Sequence, residues 1–87
     1  MTVQEAKDIL SQNLYKYNSA WKDKFDIFIG DFVKETFESE LPFPNCYIIN
    51  VASVDKGERP EEDDWDEWFV SKTDGHFGSA FTVENVA

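Results

Sequence analysis

The segment Thr73-Asp74-Gly75-His76 constrains the fold more than any other in this chain. Asp-Gly is the pair favoured in a two-residue type I′ turn, because both central residues there need positive φ. The residues on either side alternate as two antiparallel strands would. A two-residue loop sets Thr73 opposite His76, Lys72 opposite Phe77, Val70 opposite Ser79 and Trp68 opposite Phe81. Trp68, Val70, Phe77, Phe81 and Val83 then share one face. Phe69, Ser71, Gly78, Ala80 and Thr82 share the other, which is smaller and more polar. Turn chemistry and side-chain pattern agree on one register. An isolated hairpin is marginal in water, so its apolar face must be covered by the rest of the chain.

The N-terminal part supplies a cover. Thr2 and Glu5 have the spacing of a capping box, in which each side chain satisfies a free backbone N–H. Ala6, Leu10, Leu14, Tyr17 and Trp21 follow at helical spacing and mark one apolar face, with Asn18-Ser19 as a weak point. The segment 25–41 has two readings. Phe25, Ile27 and Ile29 alternate as a strand, with Gly30-Asp31 as a hairpin turn. Against this, Phe25, Phe28, Ile29, Phe32, Val33, Phe37 and Leu41 fall on one helical face, with Asp26, Lys34, Glu35 and Glu38 toward water. The helical pattern misplaces only Ile27, at a cost of roughly 1 kcal/mol for an internal Gly30, and a helix is the expectation. Pro42 and Pro44 end the element in either case. Cys46–Val54 is rich in β-branched residues and apolar on both faces, as a central strand would be. The expected fold is therefore α+β: two N-terminal helices packed on a three-stranded antiparallel sheet that ends in the C-terminal hairpin. Residues 1–87 form one domain, without internal repeats.

Charge is the second constraint. Eighteen acids stand against eight Lys plus Arg, a formal net charge of −10. Six of the seven residues from Glu61 to Glu67 are acids: Glu61, Glu62, Asp63, Asp64, Asp66 and Glu67, with Trp65 set among them. A cluster this dense repels itself and becomes favourable beside a basic surface or a cation. The balance disfavours direct binding to nucleic acid phosphates and adsorption to an anionic membrane. A basic protein surface, including one that normally grips nucleic acid, is attracted. Trp65 precedes the expected strand and is the candidate anchor, whereas the hairpin register sends Trp68 to the core. Asp23, Asp26, Asp31, Glu35, Glu38 and Glu40 would form a second negative stripe on the helices.

Sites for chemistry are sparse in this sequence. The acidic run lacks the alternating acids and central Gly of an EF-hand loop, so no metal or other cofactor is expected. His76 belongs to a turn, and the lone cysteine, Cys46, opens an apolar strand where a small buried residue is the ordinary role. No Ser-His-Asp, His-Glu-x-x-His or Gly-rich phosphate motif is present. Enzymatic activity is not expected. One cysteine permits no internal disulfide. The first residues lack a signal-peptide apolar region, and no stretch approaches the roughly 20 apolar residues of a membrane span. A soluble, cytoplasmic protein is expected.

In size and charge, though in no shared motif, the chain resembles phage-encoded anti-defence proteins, nuclease inhibitors and toxin immunity proteins. That likeness implies a small inhibitor whose residues Glu61 to Glu67 occlude a basic nucleic-acid-handling protein such as a nuclease, CRISPR effector or toxin. The alternative is a structural or adaptor protein of a phage or mobile element that self-associates as a homodimer through an open sheet edge.

Overall fold

The computed structural model describes residues 1–20 and 22–80. It is an α+β fold with one N-terminal helix and a four-stranded antiparallel sheet. The helix α1 spans Val3–Ala20. The strands are β1 (Phe25–Glu35), β2 (Cys46–Asp55), β3 (Trp65–Ser71) and β4 (Phe77–Ser79), in the spatial order β1-β2-β3-β4. A short 3₁₀ turn, Glu62–Asp64, precedes β3.

The capping box closes as its spacing predicts. Glu5 N–H donates to Thr2 Oγ1, and Thr2 N–H donates to Glu5 Oε1, both at 3.1 Å. Ala6, Leu10 and Leu14 are buried against the sheet with Tyr47, Ile49, Val51 and Val70. The stripe ends there, because the next buried position is Asn18, whereas Tyr17 is exposed. Trp21, expected on the same stripe, lies outside the described residues. β2 is interior, paired with β1 on one side and β3 on the other, and it is buried on both faces: Tyr47, Ile49 and Val51 toward α1, and Cys46, Ile48 and Ala52 on the opposite side.

Residues 25–41 correct the expectation of a second helix. They form β1 and the start of the connection to β2. Ile29 pairs with Val51 and Val33 with Ile49, so Gly30, Asp31 and Phe32 together oppose the single residue Asn50. Two extra residues are thus accommodated in a bulge. An even insertion keeps side-chain parity, and Ile27, Ile29 and Val33 all pack on the α1 side. The bulge also stretches the spacing from Ile29 to Val33 to four residues, which imitates a helical repeat. Gly30 is needed for close approach rather than for a turn: a Cβ there would lie 3.1 Å from the Asn50 carbonyl oxygen. The negative stripe expected on that helix is dispersed. Asp26 Oδ2 accepts from Gly57 N–H at 2.9 Å, Asp31 lies 4.0 Å from Lys7, and Glu35 pairs with Lys72 at 2.9 Å.

The hairpin forms with a different register. Val70 pairs with Phe77 and Trp68 with Ser79. Ser71 N–H donates to His76 C=O at 2.7 Å and Gly75 N–H donates to Ser71 C=O at 3.0 Å, closing a loop over 72–75. Gly75 has φ of 75°, but Asp74 is not in the left-handed region, so a type I′ turn does not form. Asp74 Oδ1 instead accepts from His76 N–H at 2.9 Å. The shift is even, and the predicted faces survive it: Trp68, Val70 and Phe77 remain on the core side. Phe81, Thr82 and Val83 lie outside the described residues.

Candidate partner-binding surface

The acidic run lies where β1 begins, β2 ends and β3 begins. β2 leaves the sheet at Asp55 through a turn in which Lys56 N–H donates to Lys24 C=O at 3.0 Å and Glu58 N–H to Asp55 C=O at 2.9 Å. Gly57 has φ of 89° there, a conformation that disfavours a side chain. The chain returns toward β3 through the 3₁₀ turn, where Glu61 N–H donates to Asp64 Oδ2 at 2.8 Å. One carboxylate of the cluster is therefore used to order the backbone that carries the others.

This path brings Asp55, Glu58, Glu61 and Asp64 to one open depression of about 410 Å³, floored by Phe25, Ser53 and Val54. Arg59 is the lone base on its wall. Glu62 and Asp63 stand exposed beside it. With so little counter-charge, the depression carries a negative field that a cationic group would neutralise.

β3 begins at Trp65, three residues earlier than the hairpin pattern suggests, and strand alternation then divides the acidic run. Asp66 points to the α1 side, where it borders a groove with Leu14, Ile27, Val51 and Trp68. Glu67 points to the opposite face, beside Lys34 and Ile48 in a separate depression of about 210 Å³. Trp65 also lies on that opposite face. It is half-buried and pairs with Ala52, and its ring approaches Gly30, whose Cβ would lie 3.4 Å from Trp65 Cζ3. The seven residues Glu61 to Glu67 are therefore neighbours in sequence but face three directions. Asp55 and Glu58 join the depression from outside the run. Their separation in sequence hid this, and the only signal was the charge density of the whole 55–67 segment.

Other ionisable groups have local roles. Cys46 is buried, its Sγ lies 3.2 Å from the Pro44 carbonyl oxygen, and burial pushes its thiol above the ordinary value, partly offset by Lys72. Asp74 is held below the usual carboxylate value, chiefly by the His76 backbone N–H. Among the described residues no group of three or more His, Cys, Asp or Glu is placed to hold a metal ion. No helix among them is long and apolar enough to cross a membrane.

Comparison of the chain with protein-family models, with curated proteins and with solved structures finds no match in any of the three.

Proposed function

We propose that the protein is a non-enzymatic inhibitor that binds a basic surface of a nucleic-acid-handling protein, such as a nuclease, a CRISPR effector or a toxin, and occludes it. The observation that carries this reading is the convergence of Asp55, Glu58, Glu61 and Asp64 on one depression with a single base on its wall. A formal charge of −10 adds long-range attraction to such a surface. Arg and Lys that otherwise hold phosphates would pair with these carboxylates, with Glu62 and Asp63 extending the contact. Steering of this kind makes association fast and sensitive to salt. The test is capture of partners from bacterial lysate by wild type and by a variant with Glu61, Glu62, Asp63, Asp64, Asp66 and Glu67 changed to Gln or Asn. The expected result is a basic nucleic-acid-binding protein retained by wild type alone. Its purified complex should lose at least about tenfold in affinity between about 50 and about 500 mM salt. A partner retained equally by both proteins, or an affinity indifferent to salt, refutes the reading.

A second reading has its own observation. β1 is an edge strand, and Phe28 and Phe32 on it are exposed, as are Phe37 and Leu41 just beyond. Long exposed edges are templates for pairing with another chain. A self-associating structural or adaptor role follows, and sedimentation of the free protein tests it: a monomer at high concentration removes it.

A further inference from the structure

The groove beside the acidic depression is built differently from it. Leu14, Ile27, Val51 and Trp68 are among its apolar lining, and its volume is about 360 Å³. That is near the lower end of ligand pockets, which run to roughly 300–1,000 Å³ and are mostly apolar with a few placed polar groups. Asp66 is the one charged group on its wall. All eight Lys and Arg of the chain are among the described residues, and the ion pairs present join Lys7 to Asp31 and Lys72 to Glu35, not any base to Asp66. Phe25 and Ser53 line both the groove and the acidic depression, so the two adjoin. Two hydrogen bonds fix one side of the groove. Asn18 Nδ2 donates to Phe25 C=O at 2.7 Å and Phe25 N–H donates to Asn18 Oδ1 at 3.1 Å, which ties the end of α1 to the start of β1.

We propose that this groove receives an apolar side chain from a basic peptide segment of the partner. The apolar body rests on Leu14, Ile27, Val51 and Trp68, a flanking Lys or Arg pairs with Asp66, and the next cation reaches the acidic depression across Phe25 and Ser53. The inference rests on the reading above that the partner is basic. Charge complementarity selects this occupant: a cation beside the apolar side chain gains attraction from Asp66 and from the acidic depression, a neutral ligand forgoes that attraction, and an acidic one is repelled by both surfaces. Division of labour follows from the geometry. The depression supplies attraction and salt dependence, and the groove supplies the desolvated anchor that decides which basic segment is kept.

The test uses two synthetic peptides, acetyl-Lys-Arg-Leu-Arg-Lys-amide and the same peptide with Ser in place of Leu, titrated into the full chain and followed by amide chemical shifts. The Leu peptide is expected to bind at least tenfold more tightly and to move the resonances of Leu14, Ile27 and Val51. Asp66→Asn is expected to weaken the Leu peptide several-fold. Glu58→Gln combined with Glu61→Gln should weaken both peptides by the same factor. Equal affinity for the two peptides overturns the anchor and leaves the electrostatic reading standing. Binding of neither peptide at low salt removes both. Two other occupants are read in the same experiment. Nuclear Overhauser contacts from Trp68 or Ile27 to residues 81–87 or to Trp21 in the free protein would show the groove filled by the chain itself. Concentration-dependent shifts at the groove without peptide would show a second copy there. Either result overturns the proposal.

Discussion

Replacing Asn18 by Ala perturbs the junction between α1 and β1. Asn18 is the last buried residue of α1, and its amide makes two hydrogen bonds to the backbone of Phe25, at 2.7 and 3.1 Å. A hydrogen bond of this kind contributes about 1 kcal/mol net, and a buried group left without a partner costs about 1–3 kcal/mol. Phe25 is half-buried and borders the open depressions on either side of it, so water can reach part of what the truncation exposes. The lower half of the range applies, and the expected loss is about 2–3 kcal/mol. A chain of 87 residues has a total stability of roughly 4–13 kcal/mol. At about 4–8 °C per kcal/mol, Tm should fall by about 8–24 °C. Thermal circular dichroism and urea unfolding followed by tryptophan fluorescence both report it. Asn18→Asp sharpens the test. Its carboxylate still accepts from Phe25 N–H but opposes the Phe25 carbonyl until it is protonated and becomes a donor. Its pKa is therefore higher in the folded state than in the unfolded one, and its penalty relative to Asn18→Ala shrinks as pH falls through that raised folded-state value. A loss under about 0.5 kcal/mol for Asn18→Ala, with no pH-dependent difference between the two variants, refutes the clamp.

Three further outcomes follow from single contacts. Thr36→Val keeps the shape of a buried side chain but removes the acceptor for Cys46 N–H at 2.8 Å and the donor to Phe43 C=O, so unfolding free energy should fall by about 1–3 kcal/mol in urea. Gly78→Ala would place a Cβ 2.9 Å from Phe69 Cε1, and Phe69 is stacked on Phe43 with centroids 4.6 Å apart, so overpacking should cost about 1–3 kcal/mol and move the ring resonances of both. Asp74 titrates below the ordinary carboxylate value because the His76 N–H favours its charged form; the hairpin gains from it above the unfolded pKa and loses that gain as pH falls through the lower folded one. Carboxyl chemical shifts against pH locate the transition, and Asp74→Asn should remove that part of the acid dependence.

Local features of the chain were legible where the interaction itself is local. Thr2 and Glu5 cap the helix at the predicted spacing, Ala6, Leu10 and Leu14 form its buried stripe, and the Cys46–Val54 run is the central strand. The candidate surface was legible as charge and illegible as shape. Density of acids in 55–67 can be counted, but the depression depends on a turn at Gly57, a second turn at Glu61–Asp64 and the neighbouring end of β1. Asp66 and Glu67 show the limit most plainly, since one strand sends them to opposite faces once β3 is seen to begin at Trp65.

Sequence alone determined that Ala6, Leu10 and Leu14 face the core, that the Cys46–Val54 run is a strand, which end of the helix was capped, and how much negative charge the chain carries near residue 60. These follow from side-chain chemistry and from the periods of helix and strand. Tertiary structure decided the rest. Residues 25–41 are apolar at spacings that suit a helix, yet Phe25–Glu35 forms β1, because pairing with β2 satisfies its backbone and a two-residue bulge returns Val33 to the core side. Asp74-Gly75 has the composition of a tight turn, yet pairing Val70 with Phe77 and capture of His76 N–H by Asp74 lengthen the loop. In both places the local preference is worth about a kcal/mol or less. Burial of several apolar side chains, at roughly 1.5–3 kcal/mol each, outweighs it, and only the assembled sheet and helix make that burial available.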